Sequence, residues 1–569
     1  MSKHLPPATR KYVFSLYFLK KYILLFLIVA LSAFLRFYQL GQNPPSLDWD
    51  ETAEGYNAYS ILKTGRDEYG YKLPLYFRSF DDYKPPLYTY MVVPAVAVFG
   101  LNDFAVRFPS ALLGVLAVLF TYLMVLELFK NENGLQSPPT NSKNIALLSA
   151  FFLAISPWHL QFSRVGFETN SAVFWSILGT WALLRGMRSD GKKIIYWLSG
   201  AAVAFGANLY MYHNARVFVP VYGFILVILF RKFLFKNVKK LIIPFLIFAI
   251  LVAFLIPIVT SVAGQLRYQG TTIFSNLGPQ YQASKMIAQD EESGWGAVGR
   301  IIHNRRLVYI PIIIDNYLSH FRPTFLFFTA DMDRHHAPEI GLLYLWDLPF
   351  ILGGMYFLLK NKFPKNSKII IFSWFLIAPV AASVTWGVPH ALRSEIYLPM
   401  YQIFAAIGIF SFYKYAKRKK LFVIISAVFL FLNAAFYLHQ YYSHMPYEFS
   451  KAWLYGRKEA AIYTDANKGK YQRVIVSTKL EQPHEFWLYY LKYDPVKYLK
   501  DGATVSGGFL EDRNKFDKYL FQPLDYDKQK KEAKTLFVGL PNEFPAGVPI
   551  LKKINYLNGE PAIYIVGDE

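Results

Sequence analysis

The chain has 569 residues, of which 54% are hydrophobic, 18% aromatic and only 18% charged, with a formal net charge of +22. A globular chain carries about 25% charge, so a disordered scaffold is excluded and a multi-span membrane protein becomes the expectation. In a soluble protein this basic excess would point to nucleic acid; here Lys and Arg gathered in cytoplasmic loops account for it, and no nucleic-acid partner is expected. There is no cysteine, hence no disulfide, Cys-ligated zinc or thiol nucleophile.

The first apolar run, Ile23 to Leu40, follows Arg10, Lys11, Lys20 and Lys21. It is long enough to span and has no small-residue cleavage site, which predicts a retained first helix with a cytoplasmic N-terminus. Further apolar runs lie near 110–129, 145–161, 171–186, 194–211, 216–231, 241–260, 341–360, 368–386, 395–413 and 420–440. With the first they predict about eleven transmembrane helices and a C-terminus outside. Lys and Arg concentrate in alternate loops, such as Arg231 to Lys240 and Lys414 to Lys420, while the first outer loop carries Asp48, Asp50, Glu51, Glu54, Asp67 and Glu68. That alternation is the positive-inside pattern.

The expected fold is therefore a multi-span α-helical membrane domain over residues 1–440, with outer loops at 41–108 and 261–340. Beyond it, residues 441–569 have denser, balanced charge and short apolar runs: Arg473–Ser477, Thr535–Gly539 and Ala562–Val566 read as strands, Glu448–Tyr463 and Pro483–Leu491 as helices. These predict a small extracytoplasmic α/β domain. No internal repeat or inverted pair of halves is seen.

Chemistry-bearing residues cluster in the outer loops. Leu47-Asp48-Trp49-Asp50-Glu51-Thr52 puts three carboxylates in four positions. The plain reading is a helix cap; the functional one is a general base or a metal site. Asp81-Asp82-Tyr83-Lys84-Pro85-Pro86 leads into a short amphipathic helix, with Tyr83, Tyr88 and Tyr90 at headgroup level and Lys84 at its start. Lys84 there is either a phosphate ligand or a snorkelling lysine. Arg164 and Glu168 sit where apolar residues are expected, as site residues or as a mutual ion pair. His213 and Arg216 lie in one outer turn, His390 and Arg393 in another, and an arginine suits bidentate phosphate recognition. Asp331, Asp333, His335 and His336 form a dense cluster that fits no strict metal motif, so a divalent cation, a polar lid and a solvated loop all stay open. No nucleotide-binding glycine loop is present.

The order of these segments resembles the GT-C class of membrane glycosyltransferases, and more closely the protein O-mannosyltransferase and lipid A aminoarabinose transferase superfamily. The residues carrying the resemblance are Asp50-Glu51 after one helix, Lys84-Pro85-Pro86-Leu87-Tyr88, Arg107-Phe108-Pro109-Ser110-Ala111-Leu112, and Ser156-Pro157-Trp158-His159 with Phe162-Ser163-Arg164. It is strongest from Arg36 to Arg185 and weak or absent over the C-terminal tail. The resemblance implies a polyprenyl-phosphate-linked sugar donor used on the outer face with inversion. Asp50 matches the base or metal-holding acid, Glu51 its partner, and Lys84 the position facing the lipid phosphate, where many members carry His. The likeness extends to His390-Ala391-Leu392-Arg393, which marks Arg393 as a phosphate ligand. Asp48, Tyr83, Arg164, Glu168, His213 and His390 then belong to the substrate cavity, and the acceptor is a glycan, lipid or protein. The competing readings are a flippase for lipid-linked saccharides and a lipid-linked oligosaccharide polymerase or ligase.

Overall fold

The computed structural model describes residues 7–79, 82–130, 142–505 and 514–567. Asp81 lies outside them, and Asp82 is described by its backbone alone. The chain begins with α1 (Pro7–Phe37), α2 (Trp49–Thr64), a hairpin of β1 (Phe77–Ser79) and β2 (Asp82–Lys84), α3 (Leu87–Phe99) and α4 (Asp103–Leu128). Then come α5 (Ser142–Ile155), α6 (Pro157–Ser163), α7 (Glu168–Met187), α8 (Lys193–Asn208), α9 (Ala215–Lys236) and α10 (Val238–Thr260). Longer helices follow at Asp347–Lys360, Lys365–Ile377, Met400–Tyr415 and Lys419–His439.

Among the described residues, five helices are long and apolar enough to cross a membrane, or up to seven if two bent pairs count as one span each. About eleven were expected. This count rests on length and composition and does not confirm the larger number. Several apolar runs fold as short or broken pieces: α5 and α6 meet at 57°, where Pro157 cannot supply the next helical N–H. The helices α8 and Asp347–Lys360, with 16 and 14 residues, fall short of the roughly 20 a straight span needs. The apolar faces nevertheless point outward in the manner of a membrane protein. Ile242, Ile243, Phe245, Leu246, Ile250 and Phe254 on α10 are all exposed, a surface that water would penalise and lipid would not.

The inner faces pack closely. Gly354 and Gly408 let the helices Asp347–Lys360 and Met400–Tyr415 meet backbone to backbone: a Cβ on either would collide with a carbonyl of the other helix, that of Phe404 or Phe350. The 261–340 segment is not an open loop. It folds into helices at Val262–Thr271, Gly278–Glu292, Gly296–Ile302 and Tyr309–Ser319.

A six-stranded sheet closes the chain, built from β3 (Arg473–Ser477), β4 (Lys515–Phe516), β5 (Tyr519–Gln522), β6 (Thr535–Gly539), β7 (Ile550–Asn555) and β8 (Pro561–Gly567). The strand order is β4-β5-β3-β6-β8-β7. The central β3 pairs in parallel with β5 and β6, and the outer pairs are antiparallel. The run Arg473–Ser477 is buried at four of its five positions, the mark of a strand covered on both faces. Helices occupy Arg457–Asn467 and Pro483–Tyr490; the first begins later than the Glu448–Tyr463 expected, because Gly456 at φ 98° interrupts it. The Pro483–Tyr490 helix docks on α2. Gly55 makes that approach possible, since a Cβ there would meet the Tyr489 ring at 2.5 Å.

Candidate active site

Three carboxylates open α2, and the helix divides them by role. Asp48 is the N-cap: its side chain accepts from the Glu51 N–H at 2.9 Å, and the Glu51 carboxylate accepts from the Asp48 N–H at 3.3 Å. This is a capping box. Both side chains are fully buried. Glu51 is further committed. It accepts from Arg107 Nε at 2.8 Å and Nη2 at 3.0 Å, and from the Gly166 N–H at 2.8 Å. Arg107 completes the knot by donating to the carbonyls of Leu40, Pro44 and Ser46. Every Glu51 contact is therefore internal, and the carboxylate faces Arg107 rather than open space.

Asp50 differs. One position from the cap, its side chain is 34% exposed and its Oδ1 lies 2.9 Å from Lys84 Nζ. Lys84 is nearly buried, and its ammonium also lies 3.8 Å from Glu168 Oε1. Glu54, one helical turn along α2 from Asp50, completes the group. It accepts from the Thr89 hydroxyl, and its Oε1 is buried with no hydrogen-bond partner. Burial pushes the Glu54 carboxyl up to about 8 despite Lys84. The Lys84 ammonium is held well above its ordinary value: burial works against it, and Asp50, Glu168 and Glu54 outweigh burial. Lys84 thus stays charged at any physiological pH.

The position of Lys84 differs from the expectation. It ends β2, where it pairs with Phe77 across the hairpin, and α3 starts only after Pro85 and Pro86. Tyr88 does not face outward to headgroups. It is buried, with its hydroxyl donating to the Val106 carbonyl at 2.9 Å. Tyr83 stacks edge-on against Tyr76, and its carbonyl lies 3.2 Å from His213 Nε2. His213 Nδ1 in turn meets Arg216 Nη1 at 3.1 Å, and Arg216 Nε donates to the Leu209 carbonyl. Asn214 in the same turn donates to the Arg393 carbonyl, while the Arg393 guanidinium donates to Thr385 Oγ1 and to the Trp386 carbonyl. One turn, 212–216, therefore ties the Lys84 strand to the Arg393 turn.

Arg164 leaves the group. It is buried, donates to the carbonyls of Leu35, Arg36 and Asn43 and to the Tyr441 hydroxyl, and stacks on Tyr441 and Tyr442. Of the two readings, a site residue or a partner of Glu168, its contacts instead describe a brace between α1 and the segment after His439.

The 331–336 cluster splits as well. Asp331 Oδ2 lies 2.9 Å from His335 Nδ1 and 3.5 Å from His390 Nδ1, and accepts from the Ala391 N–H. Asp333 is exposed, and His336 turns to the Ala337 carbonyl and the Phe449 ring. The three that converge are Asp331, His335 and His390. Their tightest contact is a hydrogen bond, and a cation there would have to break it. Burial and the neighbouring His335 and Arg393 push His390 down to about 2, so its ring is neutral.

Sequence reasoning did not single out Glu54 or Arg334. Glu54 carried a signal, the i, i+4 spacing from Asp50 that sets both on one helical face. Arg334 carried none: it reaches from the 331–336 segment to Asp48 Oδ2 at 2.8 Å and lies over the Trp49 ring at 4.5 Å. Burial raises Asp48 to about 7 even against that arginine.

Residues 83–259 match the profile of the dolichyl-phosphate-mannose-protein mannosyltransferase family. Over 192 residues the chain is 27% identical to YkcB of Bacillus subtilis (strain 168), a candidate mannosyltransferase, covering 33% of this chain and 23% of that protein. The chain spans less than a third of the length of the curated relatives it matches. In structure it is similar to ArnT from Cupriavidus metallidurans in the apo state, with a TM-score of 0.53 at 12% identity over 95% of this chain and 97% of that one. It is likewise similar to ArnT bound to undecaprenyl phosphate, with a TM-score of 0.51 at 12% identity over the same shares. The resemblance to the GT-C glycosyltransferases is thus carried by a family match in the membrane part and by a shared fold along nearly the whole chain.

Proposed function

We propose that this protein is an integral membrane glycosyltransferase that moves a sugar from a polyprenyl-phosphate donor to an acceptor hydroxyl on the outer face. The observation that carries the reading is the Asp50–Lys84 pair, a partly exposed carboxylate 2.9 Å from a buried, permanently charged ammonium. Glycosyl transfer passes through an oxocarbenium-like state, and needs a base for the incoming hydroxyl and positive charge for the departing phosphate. Asp50 and Lys84 supply one each, side by side. The match to a structure that holds undecaprenyl phosphate supports the donor class.

In the proposed mechanism the lipid phosphate meets Lys84, with Arg216 and Arg393 on the turns bound to it. Asp50 takes the acceptor proton while the acceptor oxygen attacks C1 from the face opposite the phosphate, which inverts the anomeric centre. Lys84 passes from its salt bridge with Asp50 to the phosphate as negative charge builds there. Glu51 holds the start of α2 through Arg107 and takes no proton. Trp49, held under Arg334, offers an aromatic face to sugar. The first outer loop, the 261–340 segment and the sheet domain lie on the outer side in this reading, with the N-terminus cytoplasmic. Docking of the Pro483–Tyr490 helix on α2 supports placing the sheet domain and Asp50 on one face.

The test is a panel of radiolabelled polyprenyl-phosphate sugars, mannose first, given to the purified full chain. Release of label from lipid by the wild type, and not by Asp50→Asn, supports the proposal. Movement of intact lipid-linked sugar across a vesicle membrane, without release, would support the flippase reading instead.

A further inference from the structure

A second group of titratable side chains lies at the joint between the first outer loop and the sheet domain. Glu68 follows α2, while His484 and Glu485 open the Pro483–Tyr490 helix. All three are at most 1% exposed. Their nearest donor atoms come within 4.8 Å of one another. His484 Nε2 is 3.7 Å from Glu68 Oε2 and 3.5 Å from Glu485 Oε1. These spacings are long for hydrogen bonds. They are close to the edge of a tetrahedron whose ligands sit about 2.1 Å from a central ion, which is about 3.4 Å.

Charge points the same way. Two carboxylates are buried together, and among the described residues neither forms an ion pair with a lysine or arginine. Burying an uncompensated carboxylate costs several kcal/mol. Glu485 Oε2 is also buried without a hydrogen-bond partner.

The surroundings resemble the outer shell that orients metal ligands. Glu68 Oε1 accepts from Asn57 Nδ2 at 2.9 Å, and Oε2 from Thr504 Oγ1 at 2.8 Å. Thr504 is fixed in turn by the Tyr498 hydroxyl. The Glu68 backbone N–H donates to Asn57 Oδ1, and its carbonyl accepts from the Thr504 N–H. The carboxylate is thus locked in one orientation from both sides of the joint. The Asp331–His335–His390 group lacks this spacing, because its acid and imidazole are already hydrogen bonded.

We propose that Glu68, His484 and Glu485 form a structural site for a divalent cation, zinc by its mixed nitrogen and oxygen donors, which fastens the sheet domain to the loop that carries α2. Its charge would balance the two carboxylates. Glu68 is held against Asn57, midway along α2 and about two turns from Asp50, so the site serves the joint between α2 and the sheet domain.

The test is metal content of the full chain, purified without chelator, equilibrated with zinc and desalted. About one zinc per chain is expected at this site. Glu485→Gln and His484→Ala should each remove that equivalent, and His335→Ala should keep it. Chelation should lower the thermal midpoint of the wild type and leave that of Glu485→Gln unmoved. Should the variants not fold, cobalt added to the wild type decides: visible bands of a tetrahedral cobalt site, abolished by excess zinc, are expected. Wild type that holds no zinc and gives no such bands would overturn the proposal. So would Glu485→Gln with undiminished zinc, or loss of the zinc in His335→Ala instead.

Discussion

Two clusters beside α2 combine carboxylates with a nitrogen base, yet they are built for opposite ends. Around Lys84, the acids Asp50, Glu54 and Glu168 share one ammonium, and Asp50 keeps a third of its side chain open. Around His484, the acids are sealed, and the hydrogen bonds of Glu68 lead back into the protein. The difference lies in access rather than composition. A carboxylate is poised for chemistry where its charge partner is shared and one oxygen faces space that a substrate can enter. The same contrast separates Asp50 from its neighbour Glu51, which Arg107 and Gly166 hold fully buried.

The largest effect should come from closing the open member of that comparison. Asp50→Asn keeps the shape and removes the base, so transfer should fall by about 10²- to 10⁴-fold, with the thermal midpoint little changed. Next in size is the sealed neighbour. Glu51→Ala leaves Arg107 buried without its partner, which costs about 3–5 kcal/mol of stability. Denaturation in detergent should show that loss, and activity should fall only as the folded fraction falls. A Glu51→Ala enzyme that folds normally but cannot turn over would transfer the base role to Glu51. Lys84→Met should come third. A charge-assisted contact is worth about 1.5–3 kcal/mol, so the concentration of lipid donor needed for half-maximal rate should rise by about 10- to 100-fold.

The smallest effect sharpens the comparison through pH. Burial holds Glu54 protonated up to about 8, against an ordinary value of 4.5. The folded state therefore binds this proton more tightly than the unfolded state. The stabilisation is complete below the ordinary value and is lost as pH rises through about 8. The thermal midpoint of the wild type should fall over that window, and Glu54→Gln should flatten the decline.

Much of this arrangement was legible in the sequence, and the limits have physical causes. Asp50 and Lys84 stand out because polar residues beside apolar runs are costly and few. The strands at Arg473–Ser477 and Thr535–Gly539 lie where their β-branched apolar runs place them. What separates Asp50 from Glu51 was not legible, since one step along a helix turns a side chain by about 100°, and only packing decides which faces Arg107. The convergence of His390 with Asp331 and His335, in place of Asp333 and His336, depends on contact between distant segments. The same holds for Glu68 and His484, which come from opposite ends of the chain. The number of spans is not confirmed, because apolarity marks a run without revealing the bend inside it, as at Pro157.

The central claim is that Asp50 does the chemistry while Lys84 holds the donor. The most direct test compares donor binding and single-turnover sugar transfer in the wild type and in Asp50→Asn, with a polyprenyl-phosphate sugar as probe. The account predicts that Asp50→Asn binds the donor about as well as the wild type and transfers no sugar in the same interval. Transfer at the wild-type rate by Asp50→Asn, in a folded protein that binds donor, would contradict it.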